Sequence, residues 1–515
     1  MNSEGRIQKS ARNMISGVLF RVVTIITAFI VRTVFIYCLG NDYLSVNGLY
    51  SGILSMLSLA ELGFSTAMVY SMYKPLADKD YEKLGQLMNL YKKAYTIIGT
   101  VILVAGLMLV PFLDLLIKNK PDVPWLTFYY LLFLGDTVIS YWFFAYRSSL
   151  LQADQRSSVI SNYSSVFNLI KAATQIVVLV LFHNFTVYLL TQIICTMLQN
   201  IALAIKVKKD YPIFEIHNNS ALPDAEKKKI FADVRALMIQ KVSFRVLNTS
   251  DSLIISAFVG INWVGLISNY ILLEESVVAV LSQIFGAITA SMGNYFAKES
   301  KEDGYLLFQR LSFMNYWLYG FSTVALITLL SPFVKLWLGD DFVLAKTIVI
   351  ALSARFFVEG YMNLMSSVRT TMGLFIQGKY FPLVVAAINI VLSISLSYPF
   401  GAAGVLAATP LSRCVINVWY MPFVIHRYGF QKEVEPFYMK MLFRMVLLLC
   451  ITGIMQTISR FIFFNGITIF SFAIMVCLTA VIPNAIMLVI YRKTEEFQYF
   501  YFLVTGILKK FFHNV

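Results

Sequence analysis

Residues 13–37 read NMISGVLFRVVTIITAFIVRTVFIY. The stretch is apolar apart from Arg21, Arg32 and a few small polar residues, and it is long enough to cross the roughly 30 Å hydrocarbon core of a bilayer. An arginine at that depth is costly, so it usually faces a water-filled cavity or a partner. The tripeptide Phe-Arg-Val stands at 20–22 and again at 244–246. This recurrence predicts two related halves around a charged central path.

The composition is that of a membrane protein. The 515 residues are 58% hydrophobic, 15% aromatic and 14% charged, and the mean hydropathy is +0.71. These values lie far outside the range of soluble globular chains. The sequence therefore predicts an all-α membrane protein with about fourteen transmembrane helices, which we place at 13–37, 46–70, 94–117, 125–146, 159–182, 187–207, 237–259, 264–292, 311–330, 347–368, 381–398, 404–425, 437–458 and 467–491.

The predicted spans group into two pseudo-symmetric six-helix lobes and two further helices. We expect an N-terminal lobe at 1–207, a cytoplasmic linker with three consecutive lysines at 208–233, and a C-terminal lobe at 234–425. The additional spans lie at 437–491. The tail at 492–515 is aromatic and apolar with basic ends, which is typical of a helix in the membrane interface; a short packing helix is the alternative.

The basic residues predict the orientation. If the amino terminus is cytoplasmic, 29 of the 42 Lys and Arg fall in cytoplasmic segments and five on the opposite face. Cytoplasmic loops hold such an excess, so we expect both termini in the cytoplasm. The net charge of +14 is then explained by topology and by attraction to anionic lipids, and it does not indicate nucleic-acid binding.

Two turns support the internal repeat. The turn after the first span reads LGNDYLSVNGLY (39–50), and the turn after the seventh reads VGINWVGLISNY (259–270). They align Gly40 with Gly260 and Tyr50 with Tyr270 at an offset of 220 residues, whereas the tripeptides are 224 apart. A gap of four residues is therefore needed, and repeats this faint are common in two-lobed transporters.

Helix periodicity predicts where the charges point. Arg21 and Arg32 are eleven residues apart and fall within about 20° of each other on a helix. Lys171 belongs to a polar stripe in the fifth span, and Lys241 and Arg245 belong to another in the seventh. Polar stripes of this kind are more easily placed around a cavity than against lipid. We predict a cationic substrate-binding cavity lined by Arg21, Arg32, Lys171, Lys241, Arg245, Arg355 and Arg413.

Acidic residues inside the spans are candidates for ion coupling, because burial favours the protonated form of a carboxylate. They are Glu61, Asp251, Glu274 and Glu359. Arg355 and Glu359 are four residues apart, so a local pair on one helix is the alternative for them. Asp251 lies off the Arg245 stripe. Glu274 and its neighbour Glu275 cannot face the same direction. No metal site, cofactor or catalytic residue is expected.

Residues 35–67 (FIYCLGNDYLSVNGLYSGILSMLSLAELGFSTA) and 70–80 (YSMYKPLADKD) resemble polysaccharide-biosynthesis (Wzx-type) flippases of the multidrug/oligosaccharidyl-lipid/polysaccharide (MOP) exporter superfamily. The resemblance implies two lobes that alternate between inward-open and outward-open states. It implies transport of an undecaprenyl-pyrophosphate-linked oligosaccharide across the bacterial cytoplasmic membrane. A proton or sodium gradient and other polysaccharide-assembly proteins are the further partners that we expect.

Two other functions remain open. A drug or cation antiporter of the same superfamily shares the fold but favours an acidic and aromatic cavity, which the number of arginines in the spans argues against. An integral-membrane glycan polymerase or acyltransferase needs a reacting constellation. The sequence has no nucleophile elbow, zinc-helix motif or phosphate-binding glycine loop, so we do not expect an enzyme.

Overall fold

A computed structural model describes residues 3–61, 64–211, 222–298, 300–374, 377–378 and 380–513. All regular secondary structure in these ranges is helical, as predicted. The helices are α1 (Ser3–Leu57), α2 (Phe64–Ala77), α3 (Tyr81–Leu109), α4 (Leu113–Leu116), α5 (Leu126–Trp142), α6 (Ser148–Ala153), α7 (Ser157–Phe182), α8 (Phe185–Asp210), α9 (Asp224–Ile254), α10 (Ile261–Lys298), α11 (Lys301–Leu338), α12 (Lys346–Thr371), α13 (Phe381–Val415), α14 (Asn417–Val424), α15 (Glu435–Ile462), α16 (Ile469–Tyr491) and α17 (Glu495–His513).

Ten helices in the described part of the chain are long and apolar enough to cross a membrane, or eleven if the bent pair Leu126–Trp142 and Ala145–Ala153 is one span. Two of them, Val22–Leu57 and Phe381–Phe430, have 36 and 50 residues. A single crossing needs only about 20 residues. Phe381–Phe430 covers the two predicted spans at 381–398 and 404–425, whereas Val22–Leu57 ends inside the second predicted span, 46–70, where a 3₁₀ turn at Ser58–Glu61 follows. The count of fourteen stays a prediction.

Glycines break both long helices where the sequence places turns. Gly40 has φ 82° and ψ −178° inside α1, and Gly401 has φ 57° and ψ −137° inside α13. These backbone angles are open to glycine and strained for other residues. The two breaks coincide with the predicted turns between the first and second spans and between the eleventh and twelfth.

The seventh predicted span, 237–259, is not among the ten apolar helices. It carries Lys241, Arg245 and Asp251, so its composition is not that of a simple membrane crossing. Only Thr249–Val259 forms a shorter apolar helix there. Its last residues, Ile255–Val259, form a π-helix that ends at Gly260, where φ is 149°.

The chain divides into two compact units, Met1–Ser268 and Asn269–Val515. The division lies inside α10, whereas the sequence places the lobe boundary in the linker at 208–233. Helix α9 packs against α1 and α2 within the first unit. The lobe ranges proposed from the sequence stay a prediction.

Each unit is held together by helix packing. In the first, α7 and α8 form a hairpin, α1 packs against α7 and α9, and α3 packs against α5. In the second, α11 packs against α12 and against the two additional helices, α15 and α16. The α15–α16 contact with α11 buries Met455, Met475 and Met487 beside Phe313 and Tyr316. The two additional helices are therefore integrated into the core of the second unit.

Helix α17 continues the chain from α16 and contacts α11. The ring of Phe497 stacks on Trp317 with centroids 5.7 Å apart, and the guanidinium of Arg310 lies 3.9 Å from the ring centroid of Tyr499. Tyr501 and Phe502 are exposed. The tail is helical, and its location in the membrane interface stays a prediction.

Candidate functional site

Glu61 lies at a junction in the first unit. Helix α1 ends at Leu57, one 3₁₀ turn spans Ser58–Glu61, and α2 begins at Phe64. The Glu61 carboxylate accepts hydrogen bonds from the hydroxyls of Tyr95 at 2.6 Å and Tyr141 at 2.7 Å. Both donors come from other helices, α3 and α5, so the carboxylate connects three segments of the unit. Tyr91 extends the network, because its hydroxyl donates to that of Tyr95 at 3.2 Å.

A second break in a helix lies beside this network. Tyr141 is in the last turn of α5, which ends at Trp142, and the next helical segment starts at Ala145 with a bend of 42°. Phe144 between them has φ 57°, a left-handed conformation that costs free energy for a non-glycine residue. Discontinuous helices often form the ligand and ion sites of membrane transporters. The Glu61 carboxylate thus connects the break after α1 with the break after α5.

The predicted cations of the first unit lie on three helices. Arg32 is half-buried on α1, and its guanidinium donates to the hydroxyl of Ser268 at 2.7 Å. Lys171 is half-buried on α7 near Cys195 of α8. Lys241 on α9 donates to the hydroxyl of Thr66 on α2 at 2.5 Å. Both of these contacts are made with hydroxyl oxygens, which carry no formal charge.

Arg245 follows Lys241 by one turn of α9 and is exposed. It is close enough for its charge to act on the Tyr141 hydroxyl, which binds Glu61. The basic face of α9 and the Glu61 network are therefore neighbours within the first unit. Arg21 lies in α1, but its side chain is outside the described residues, so its predicted role is untested.

Two ion pairs form in the second unit. The Nη2 atom of Arg355 on α12 lies 3.3 Å and 3.2 Å from the two carboxylate oxygens of Glu274 on α10. The Nη2 atom of Arg413 on α13 lies 3.7 Å from the nearer carboxylate oxygen of Glu359 on α12. Arg355 and Glu359 therefore each have a partner on another helix, and the local pair between them stays an alternative.

The remaining acidic candidates differ in exposure. Glu274 is buried while the next residue, Glu275, is exposed. The prediction that these neighbours face different directions is confirmed. Asp251 is buried on α9, away from the exposed Arg245. No group of three or more His, Cys, Asp or Glu side chains in the described ranges is arranged to hold a metal ion.

Sequence reasoning missed the tyrosines around Glu61 and the arginine of α15. Tyr95 and Tyr141 lie in predicted spans that are distant in sequence, and we did not count tyrosine among the polar residues of the spans, although the spacing of Tyr91 and Tyr95 by four residues is a weak signal. Arg444 lies over the rings of Phe313 and Tyr316, at 5.6 Å and 5.5 Å from their centroids.

Arg444 also lines a cavity of about 100 Å³ inside the second unit. The other walls are mostly apolar and include Tyr361, Met441 and Cys414. The seven predicted cations belong to both compact units, and their joint placement around one cavity stays a prediction.

Solved structures of MOP transporters share this fold. An inward-facing multidrug resistance MATE family transporter of the MOP superfamily matches with a TM-score of 0.59 at 13% identity, over 79% of this chain and 97% of that chain. The lipid II flippase MurJ in an inward closed conformation matches with a TM-score of 0.56 at 16% identity, over 92% and 99%. The Vibrio cholerae MATE transporter VcmN in its bent form matches with 0.52 at 14%, over 83% and 98%. The fold is therefore that of the MOP superfamily.

A narrower assignment comes from the sequence family. Residues 10–297 match the family described as polysaccharide biosynthesis protein, which is more than half of the chain. The protein belongs to this family, and the resemblance inferred from residues 35–80 is confirmed. No curated protein sequence matches the chain.

Proposed function

We propose that this protein is a flippase that moves an undecaprenyl-pyrophosphate-linked oligosaccharide across the bacterial cytoplasmic membrane by alternating access of two lobes. Membership in the polysaccharide biosynthesis family and the MOP fold support the proposal. The single observation that carries it is the basic face of α9. Lys241 there meets the hydroxyl of Thr66, not a carboxylate, in the described part of the chain, and Arg245 is exposed.

The chemistry of such a substrate fits a basic face. A pyrophosphate does not cross hydrocarbon unaided, and the guanidinium fork matches phosphate oxygens while it stays charged at any working pH. Hydroxyl and amide side chains suit the glycan, and the polyprenyl chain stays in lipid. A flippase binds and moves its substrate without a covalent step, so we propose that the protein is not an enzyme.

The test is flipping of a fluorescent undecaprenyl-pyrophosphate-linked sugar in proteoliposomes. The variants are Arg245→Ala, Lys241→Ala and Arg21→Ala, and Lys228→Ala is the control because Lys228 is exposed near the start of α9. We expect the first three variants to lose transport and the control to keep it, with all four equally folded. Absence of flipping by the wild type contradicts the proposal.

Glu61 supports coupling of this transport to an ion gradient. Its carboxylate is shared by the hydroxyls of Tyr95 and Tyr141 at the meeting of two broken helices. Protonation of a carboxylate removes the charge that these hydroxyls stabilise, so the network changes with ion occupancy. A proton is the coupling ion that we propose here.

The same network favours the second candidate function. A carboxylate bonded by Tyr95 and Tyr141, with Tyr91 bonded to Tyr95, is acidic and aromatic, as expected of a site for organic cations. A cation antiporter exports fluorescent cationic dyes from cells and does not flip the lipid-linked sugar. The two assays together separate the two functions.

We also propose that both termini are cytoplasmic, on the basis of the 29 basic residues assigned to that face. Fusion of alkaline phosphatase, which is active only outside the cytoplasm, to the C-terminus is the test. We expect the phosphatase fusion to be inactive. A fusion of green fluorescent protein to the same C-terminus is expected to be fluorescent. Interaction with anionic lipids and with other polysaccharide-assembly proteins belongs to the same proposal.

A further inference from the structure

The two ion pairs of the second unit form one cluster. Arg355 and Glu359 are one turn apart on α12, Glu274 approaches from α10, and Arg413 approaches from α13. The charge of Glu359 also acts on Glu274. Two cations and two anions thus lie together on three helices, and their formal charges cancel.

The two ion pairs differ in the distance between their charged atoms and in their exposure. Glu274 and Arg355 are 5% and 13% exposed, and both carboxylate oxygens face one guanidinium nitrogen. The 3.7 Å distance between Arg413 and Glu359 is longer than a hydrogen bond, and Glu359 is 26% exposed while Arg413 is 6% exposed. Glu359 is therefore the most accessible and least tightly held member of the cluster.

A carboxylate and a phosphate bind a guanidinium in the same way, through oxygens that accept from its fork of donors. Each glutamate consequently occupies the place that a phosphate oxygen would take on its arginine. The buried arginine needs an anionic partner at all times, because an unpaired buried charge is costly. Either anion satisfies that need.

We propose that the cluster is an anion-exchange site for a phosphate-bearing ligand: the phosphate replaces Glu359 on Arg413, and the released Glu359 carboxylate takes up one proton. The inference rests on the proposed function, since it requires a substrate with a phosphate group. The Arg413–carboxylate contact breaks, an Arg413–phosphate contact forms, and the proton from solution neutralises the carboxylate. No covalent bond changes in the ligand.

The surroundings of Glu359 explain why it takes the proton. It faces Arg413 on α13 and the phenol of Tyr319 on α11, and it lies near Glu274 of α10 and Arg355 of its own helix. When the phosphate binds Arg413 in place of Glu359, the Glu359 carboxylate lies beside two other anions, the phosphate and Glu274. A partly buried carboxylate among negative charges favours its neutral form. Glu274 keeps its two contacts with the Arg355 guanidinium.

The experiment measures proton uptake on binding of inorganic pyrophosphate to the purified full-length protein. Isothermal titration calorimetry in two buffers with different ionisation enthalpies gives the number of protons taken up per ligand bound. We expect about one proton for the wild type, because one carboxylate is released. Glu359→Gln is expected to bind pyrophosphate at least as tightly and to lose the proton uptake.

Glu275→Gln is the matched control, since Glu275 is exposed and adjacent to Glu274. It is expected to keep both the affinity and the proton uptake of the wild type. The double variant Glu359→Gln with Arg413→Gln removes both partners of the ion pair, so it leaves no lone buried charge. We expect it to bind pyrophosphate at least tenfold more weakly than the wild type does. Its thermal unfolding reports whether the fold is kept.

Three results overturn the inference. They are the absence of pyrophosphate binding by the wild type, unchanged proton uptake in Glu359→Gln, and binding that weakens in Glu359→Gln as much as in the double variant. Failure of the proposed function has a different signature: no flipping of the lipid-linked sugar by a protein that still binds pyrophosphate with proton uptake. Flipping with no change in proton uptake for Glu359→Gln contradicts the inference alone.

Discussion

Tyr50 and Tyr270 occupy equivalent positions in the two halves of the chain. Both are fully buried, at 0% exposure. The Tyr50 hydroxyl donates to the backbone oxygen of Leu126, the first residue of α5, at 3.1 Å. The Tyr270 hydroxyl accepts from the backbone N–H of Leu344, just before α12, at 2.9 Å. In each half, a tyrosine of one predicted span forms a hydrogen bond with the backbone at the start of the second span that follows it. This shared contact supports the internal repeat.

Replacement of either tyrosine by phenylalanine tests this equivalence. Tyr50→Phe removes a hydrogen bond to a half-buried carbonyl, and Tyr270→Phe leaves the buried N–H of Leu344 without this partner, so we expect each to lower the free energy of unfolding by about 1–2 kcal/mol. The measurement is thermal unfolding of the purified protein in detergent. Tyr37→Phe is the control, since Tyr37 is 74% exposed.

The two losses are expected to add in the double variant, because the two hydroxyls bond to different backbone groups, those of Leu126 and Leu344. A double variant no less stable than either single one contradicts the interpretation. So does an equal loss for Tyr37→Phe.

Glu61→Gln is expected to remove the dependence of flipping on an imposed pH gradient, while residual flipping continues. The amide cannot take up a proton, and it still accepts a hydrogen bond from Tyr95 or Tyr141. Flipping in proteoliposomes with and without the gradient is the measurement. Glu82→Gln, at the exposed start of α3, is the control. Gradient dependence that persists in Glu61→Gln rules out this residue as the coupling group.

Tyr141→Phe tests the connection between the two broken helices separately from charge. It removes the hydrogen bond of 2.7 Å and leaves the Glu61 carboxylate in place. We expect flipping to slow by roughly tenfold, corresponding to about 1.4 kcal/mol, with the gradient dependence kept. If Tyr141→Phe instead loses the gradient dependence, the hydroxyl of Tyr141 is required for the proton coupling.

Gly40→Ala is expected to destabilise the protein by about 1–3 kcal/mol, because alanine is strained at a φ of 82°. No atom lies within 4 Å of an added Cβ at this position, so the effect isolates backbone strain. Gly135 is the matched control: it lies in α5, where a Cβ also meets nothing within 4 Å. Gly135→Ala is expected to be neutral or stabilising by about 0.4–1 kcal/mol. Equal thermal unfolding midpoints for the two variants contradict the backbone strain expected at Gly40.

The buried pair of Glu274 and Arg355 gives a prediction about stability. Arg355→Met leaves a 5% exposed carboxylate without the guanidinium, so we expect a loss of about 3–5 kcal/mol. Adding Glu274→Gln removes the orphaned charge and is expected to recover most of that loss. Thermal unfolding of the two variants measures the recovery. No recovery in the double variant contradicts the pairing.

Several features of the fold could be predicted from the sequence because they are local. Apolar runs of about 20 residues specify membrane helices wherever they occur. Gly40 lies in the predicted turn at 39–50 and Gly401 lies between the predicted spans 381–398 and 404–425; glycine adopts a positive φ without strain, so breaks at these positions are compatible with the local sequence. The span at 237–259 was predicted less well, since Lys241, Arg245 and Asp251 give it a composition between that of a membrane helix and that of a polar one.

The candidate site was only partly predictable. Periodicity placed Lys241 and Arg245 on one face and separated Glu274 from Glu275, because direction around a helix follows from spacing. It did not predict that Glu61 meets Tyr95 and Tyr141. Those side chains come from spans far apart in sequence, and nothing local to either records the contact.

Hydrophobicity, periodicity and glycine conformation act over a few residues, so the amino-acid sequence was enough to predict the class of protein, most of its helices, the breaks at Gly40 and Gly401 and the positions of the charges. The packing of distant helices selects the partners, which are Glu274 for Arg355, Glu359 for Arg413, and two tyrosines for Glu61. Burial makes an unpaired charge expensive but does not specify which partner relieves it. That choice depends on how distant helices pack.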